Sequence, residues 1–246
     1  MLRLILVLLF IIVFLLLSLP ILLVLWIIGL FRPEVRSGAS LAIVSWAFRV
    51  ILFLSGTRVT RIGEENIPAD EGVLFIGNHR SYFDIVITYG FAKRDLGFIA
   101  KKQVKMVPIL SLWMRNLHCL FLDRSDLKQG LAVINQAAEY VKQGTSIVIY
   151  PEGTRNRTDK PLQEFHRGSF KIAQKSLCKI IPVTVTNTED IYEKHRPFIR
   201  RADVTITYGE PIDTAALDVK ERKTVDGPIH EIIERTYLAS LKTASE

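Results

Sequence analysis

The chain has 246 residues, 49% of them hydrophobic, and a formal charge of +7. That length supports one large domain with a substantial core, with the apolar excess concentrated at the amino terminus. The positive balance admits nucleic acid or anionic lipid as a partner; no nucleic-acid-binding motif is found and the start is apolar, which makes lipid the stronger choice and leaves no nucleic-acid partner expected.

Leu4 to Phe31 carries no charged residue. As one helix it is about 42 Å long against roughly 30 Å of bilayer hydrocarbon, enough to span, with a kink expected at Pro20. It is far longer than a signal core and no convincing cleavage site follows, so the stretch reads as an uncleaved anchor. Leu41 to Leu54, interrupted by Ser45 and Arg49, is a second apolar stretch. It reads as a membrane-associated helix, re-entrant or interfacial, or else as a core helix of the body. Residues 1–56 are thus expected to form the membrane part and 57–246 the body. Arg32, Arg36, Arg49, Arg58 and Arg61 follow the anchor and only Arg3 precedes it, which places the body on the cytoplasmic face. Cys119 and Cys178 lie in apolar runs and read as buried free thiols.

From Thr57 onward strands and helices alternate. Thr57 to Ile62 and Gly72 to Gly77 read as strands, Tyr82 to Lys93 as a helix, Leu96 to Ala100 as a strand. Pro108 to Asn116 reads as a helix with Pro at its first turn, followed by a strand from His118 to Leu122. Leu127, Leu131, Ile134, Ala138 and Val141 recur at helical spacing, so Asp126 to Gln143 reads as an amphipathic helix stopped at Gly144. Strands are expected at Thr145 to Tyr150, Lys179 to Thr186 and Asp203 to Tyr208. Helices are expected at Arg167 to Leu177 and Val225 to Lys242, with Glu189 to Arg201 an irregular, basic loop. The class is α/β, a largely parallel or mixed sheet flanked by helices.

Four strand ends gather polar residues. Asn78-His79-Arg80-Ser81-Tyr82-Phe83-Asp84 follows the apolar run Val73 to Ile76 and enters a helix, which puts His79 in a strand-to-helix turn. An Asp beside one ring nitrogen leaves the other free to take a substrate proton, so the pair can serve as base and orienter; alone, it also reads as a turn hydrogen bond. A metal site would need more ligands than these two, and no further His or Cys cluster supplies them. Arg124 and Arg155, at two other strand ends, present planar donor forks suited to an anion such as phosphate. Taken singly, Arg124 equally reads as a surface partner of Asp123 or Asp126, and Glu152 as an ordinary turn carboxylate. Gly153 permits close backbone approach.

Together these blocks resemble the glycerophospholipid acyltransferases, most closely the bacterial lysophosphatidic acid acyltransferases. The resemblance runs from about Arg61 to Pro211 and rests on the order and spacing of His79 to Asp84, Phe121 to Arg124, Pro151 to Arg155 and Ile181 to Val183. Tyr150 departs from the pattern, standing where Phe is commoner. The resemblance implies that His79 is the general base for a glycerol hydroxyl attacking an acyl thioester and that Asp84 orients it. It further implies that Arg124 and Arg155 bind the acceptor phosphate and that Glu152 and Gly153 shape the glycerol site. It implies acyl-CoA or acyl carrier protein as donor, a membrane lysophospholipid as acceptor, and no cofactor or metal. An ornithine-type lyso-lipid or glycerol 3-phosphate is the alternative acceptor. A non-catalytic lipid-binding membrane protein is the alternative of another class.

Overall fold

The computed structural model describes residues 1–243. It opens with α1 (Leu2–Gly29) and α2 (Pro33–Ser55), both long and apolar enough to cross a membrane. Pro33 starts α2 and Gly56, at φ 75°, ends it in the left-handed conformation that a helix stop favours. Arg3 lies beside Gly56 and Arg36 beside Gly29, so the two helices run antiparallel. The helix extends beyond the apolar stretch Leu41 to Leu54 at its start, and one side of it is core. Ser45 Oγ donates to the Tyr89 carbonyl at 2.7 Å and Ser37 Oγ to Asp95 Oδ2 at 2.9 Å, holding α2 along the body. Most of α1 stays exposed, although Ser18, Leu22 and Leu25 are buried. Phe14 stacks on Trp113, whose indole N–H donates to Ser18.

The body follows as β1 (Arg58–Ile62), β2 (Leu74–Gly77), α3 (Phe83–Gly90), β3 (Leu96–Lys101), α4 (Pro108–Asn116), β4 (Leu120–Leu122), α5 (Leu127–Lys142) and β5 (Ser146–Ile149). Then come α6 (Lys171–Ser176), β6 (Lys179–Thr186), β7 (Asp203–Tyr208), β8 (Ile212–Asp213), α7 (Val219–Lys223) and α8 (Asp226–Thr243). The strands form one mixed sheet in the order β1-β7-β6-β2-β5-β3-β4, with β8 also on β6. From β6 through β4 every pairing is parallel, while β7 and β8 run antiparallel to β6.

The central strands are apolar without alternation because both faces are covered. Phe75 and Val148 point into a core shared with α1, α2, α3 and α4, whereas Leu74, Ile76, Ile147 and Ile149 point into a second core under α5, α6 and α8. Pro182 is tolerated inside β6 because its missing donor faces a gap. The antiparallel partners of β6 are β8 at Lys179 and Ile180 and β7 from Val183, and only Gly209 reaches Pro182, donating to its carbonyl.

Several expected boundaries shift for local reasons. His118 adopts φ 57° and turns the chain out of α4, which shortens the expected strand to Leu120–Leu122. The helix expected to reach Lys93 ends at Gly90, and the one expected from Arg167 opens with a 3-10 turn, Arg167–Phe170. The expected loop 189–201 contains 3-10 turns at Thr188–Asp190 and Glu193–His195. Both cysteines are buried and free, with burial raising their thiol pKa values.

Candidate active site

The sheet brings the carboxyl ends of β2 and β5 side by side, and the turns leaving them interlock. Asn78 is fully buried and extends β2 with its side chain: its amide donates to the Val185 carbonyl at 2.9 Å and its oxygen accepts from Val185 N–H at 2.8 Å. This side-chain rung lets the main chain turn away at His79 while remaining tied to β6.

His79 Nδ1 lies 2.7 Å from Asp84 Oδ2. Asp84, at the start of α3, is fully buried, and the same oxygen accepts from the backbone N–H groups of Arg80 at 2.8 Å and Ser81 at 2.9 Å. The turn thus wraps one carboxylate oxygen, so the imidazole is oriented by a group that is itself fixed. With Nδ1 as the donor, Nε2 is the basic nitrogen, and it makes no hydrogen bond among the described residues.

The turn after β5 supports the same histidine from two further sides. Glu152 Oε1 accepts from His79 N–H at 2.7 Å and its Oε2 from Gln163 N–H at 3.0 Å, while Asn156 N–H donates to the His79 carbonyl at 2.6 Å. Burial raises the Glu152 pKa, against the lowering effect of those amides. Both Glu152 oxygens are thereby engaged by backbone. The Tyr150 ring stacks on the imidazole, with centroids 4.3 Å apart.

Arg124 extends from the end of β4 and donates from Nη2 to the Gly153 carbonyl. Gly153 has φ 69°, a backbone that favours glycine, and a Cβ there would displace the Arg124 guanidinium. Neither expected ion pair of Arg124 forms. Asp123 instead pairs with Lys102 and Ser125, which lower its pKa to about 2, and Asp126 caps α5 by accepting from Gln129 N–H. Arg155 donates from Nη1 to Glu193 Oε1 at 3.2 Å and lies 3.5 Å above the Tyr82 ring. Ile181 and Pro182 of the fourth block pair with Phe75 and Ile76 of β2, inside the sheet rather than at the site.

The acyltransferase family's sequence pattern matches residues 58–186, more than half of the chain. The chain belongs to the acyltransferase family. It is 30% identical over 186 residues to the 1-acyl-sn-glycerol-3-phosphate acyltransferase of Borreliella burgdorferi, covering 75% of this chain and 74% of that one. It is 26% identical over 220 residues to a probable 1-acyl-sn-glycerol-3-phosphate acyltransferase of Mycoplasma pneumoniae, covering 84% and 80%. The crystal structure of the 1-acyl-sn-glycerophosphate (LPA) acyltransferase PlsC from Thermotoga maritima superposes with a TM-score of 0.73 at 25% identity, covering 92% of this chain and 96% of that one.

In this acyltransferase the family match stops at residue 186, short of two side chains that the site uses. Glu189 Oε1 accepts from Arg80 Nε at 2.8 Å, and Glu193 binds Ser81, Tyr82 and Arg155. Both belong to the segment that reads from sequence as an irregular basic loop. Asn78 and Tyr150 also acquire roles that spacing does not reveal, since their partners are a distant strand and a ring across the sheet.

Proposed function

We propose that the protein transfers a fatty acyl chain from an acyl thioester to the sn-2 hydroxyl of 1-acyl-glycerol 3-phosphate, giving phosphatidic acid. The observation that carries this reading is the His79 imidazole held by buried Asp84 with Nε2 unpaired. The names of the relatives supply the acceptor. Nε2 takes the proton as the hydroxyl oxygen forms its bond to the thioester carbonyl carbon, and Asp84 stabilises the resulting imidazolium. Collapse of the tetrahedral species breaks the carbon–sulfur bond, and the imidazolium returns the proton to the leaving thiolate. No enzyme nucleophile takes part.

Arg124 and Arg155 bind the phosphate in this scheme, and Glu152 and Gly153 form the wall beneath the glycerol by fixing His79 and Arg124. A mainly apolar cavity of about 270 Å³ is lined by Phe75, Phe91, Val148, Val185 and Tyr150, the ring that stacks on His79, with Glu64, Lys93 and Arg94 also in its wall. Its lining suits an acyl chain. The exposed apolar side of α1 seats the enzyme in a membrane, with the body on the cytoplasmic face, and the donor is acyl-CoA or acyl carrier protein.

Product identification tests the reading, with the purified protein offered lysophosphatidic acid, glycerol 3-phosphate and an ornithine lyso-lipid, each with both donors. Phosphatidic acid is the expected main product, and its formation should fall at least about a hundredfold in His79→Ala. Preferred acylation of the phosphate-free lipid, or near-normal turnover in that folded variant, would overturn it.

A further inference from the structure

We propose that Glu193 is a positioning residue that couples Arg155 to the turn carrying His79, so that the acceptor phosphate and the base are held in one frame. The proposal rests on the phosphate role given to Arg155 above. Glu193 Oε1 accepts from Tyr82 N–H at 3.0 Å and from Arg155 Nη1 at 3.2 Å, while Oε2 accepts from Ser81 Oγ–H at 2.6 Å. Ser81 Oγ in turn accepts from Phe83 N–H at 3.0 Å, and Ser81 N–H donates to the Asp84 oxygen that faces His79 Nδ1. One carboxylate therefore reaches the base through Ser81 and Asp84, and the guanidinium directly.

The guanidinium is left in a useful state. Glu193 takes Nη1 and the Tyr82 ring covers one face, while Nε and Nη2 make no hydrogen bond among the described residues. Those two nitrogens form the edge that meets an oxyanion with two parallel bonds. Both members of the pair are mostly buried, at 15% and 11% side-chain exposure, so the geometry is confined rather than left to solvent. A carboxylate that only balanced charge would have no need to accept from the backbone and hydroxyl of the catalytic turn as well. Glu189 acts nearby on Arg80 in a different way. That guanidinium is spent on Glu189 and on the carbonyls of Thr158, Lys160 and Pro161, which makes it a fastener of loops.

The experiment is steady-state kinetics of the full-length enzyme in lipid vesicles, with KM resolved for lysophosphatidic acid and for the acyl donor. Glu193→Ala should raise the acceptor KM at least about tenfold and lower kcat, with the donor KM unchanged. Glu193→Gln keeps the shape and one acceptor oxygen but sets an amide NH2 against a group that donates to the other oxygen, so it should recover only part of both losses. Glu193→Asp keeps the charge but falls short of one partner, and should resemble the Ala variant; it decides the matter if Glu193→Ala does not fold. In an Arg155→Ala background, Glu193→Ala should add nothing to the acceptor KM while still lowering kcat. A folded Glu193→Ala enzyme with parental acceptor KM, alongside an Arg155→Ala enzyme whose KM has risen, overturns the coupling and leaves the phosphate reading standing. An Arg155→Ala enzyme with parental acceptor KM overturns the phosphate reading and the coupling together.

Discussion

The imidazole of His79 and the ring of Tyr150 lie face to face, 4.3 Å apart and within 9° of parallel. The stack fixes the plane of the base, while Asp84 fixes its rotation. A phenyl ring would do the same. The Tyr150 hydroxyl is buried and makes no hydrogen bond of ordinary geometry, and burial followed by the nearby Asp84 charge pushes its pKa well above the usual phenol range, with the Thr88 hydroxyl close by and opposing that rise. Tyr150→Phe should therefore keep kcat within about twofold and leave stability within about 1 kcal/mol of the parent, since the hydroxyl has at best a weak contact with Thr88 to lose. Tyr150→Leu stays apolar but loses the stack and part of the volume, and should lower kcat roughly tenfold. Thermal unfolding and initial rates measure both, and a large kcat loss in Tyr150→Phe would mean that the hydroxyl enters the chemistry.

Chain order and chemistry were legible where the signals are local. Pro108 marked the first turn of α4, the helical spacing from Leu127 to Val141 the apolar face of α5, and the run Val73 to Ile76 the buried strand β2. The His79 and Asp84 pair is legible for the same reason, since its two members share one turn. Two short elements escaped. β8 has only two residues, Ile212 and Asp213, and α7 has five, although Asp218 and Glu221 spell a capping box that was readable in principle. The support of the site was illegible on different grounds. Glu152, Glu189 and Glu193 serve groups about seventy to a hundred and ten residues upstream, and from sequence a carboxylate capping a distant turn looks like any exposed loop acid.

His118 gives the fold an acid-sensitive point away from the site. It is partly buried at φ 57°, packs edge-on to Tyr140, and sits 3.9 Å from Asp95, the carboxylate that also accepts from Ser37 of α2. Burial lowers its pKa, partly offset by Asp95, while Arg36 lowers it further. A depressed folded pKa means that the unfolded chain binds the proton first. The stability contribution is then present above the unfolded value, about 6.5, and lost as pH falls through the folded value. His118→Asn suits the left-handed backbone and removes the titration. Denaturant midpoints measured from pH 7.5 down to 5 should fall less steeply in His118→Asn than in the parent, and equal slopes would count against this account.

Arg124 offers the sharpest separation of acceptor recognition from catalysis, because no carboxylate competes for it. Its partner is the Gly153 carbonyl, whereas Asp123 and Asp126 are committed elsewhere. Phosphate is present unchanged in ground and transition states, so a group that only binds it contributes uniform binding. Arg124→Ala should raise the acceptor KM more than it lowers kcat, with the donor KM unmoved. Arg124→Lys should recover part of the loss, since an ammonium keeps the charge without the planar fork. Gly153→Ala supplies an independent check: its Cβ would push into the guanidinium and its φ of 69° is strained for alanine. It should raise the same KM, and adding it to Arg124→Ala should not raise that KM further, because the displaced group is already gone. If Arg124→Ala keeps normal acceptor affinity and loses only kcat, the guanidinium acts on developing charge or on the fold. An acceptor without phosphate would then account for the site better than lysophosphatidic acid.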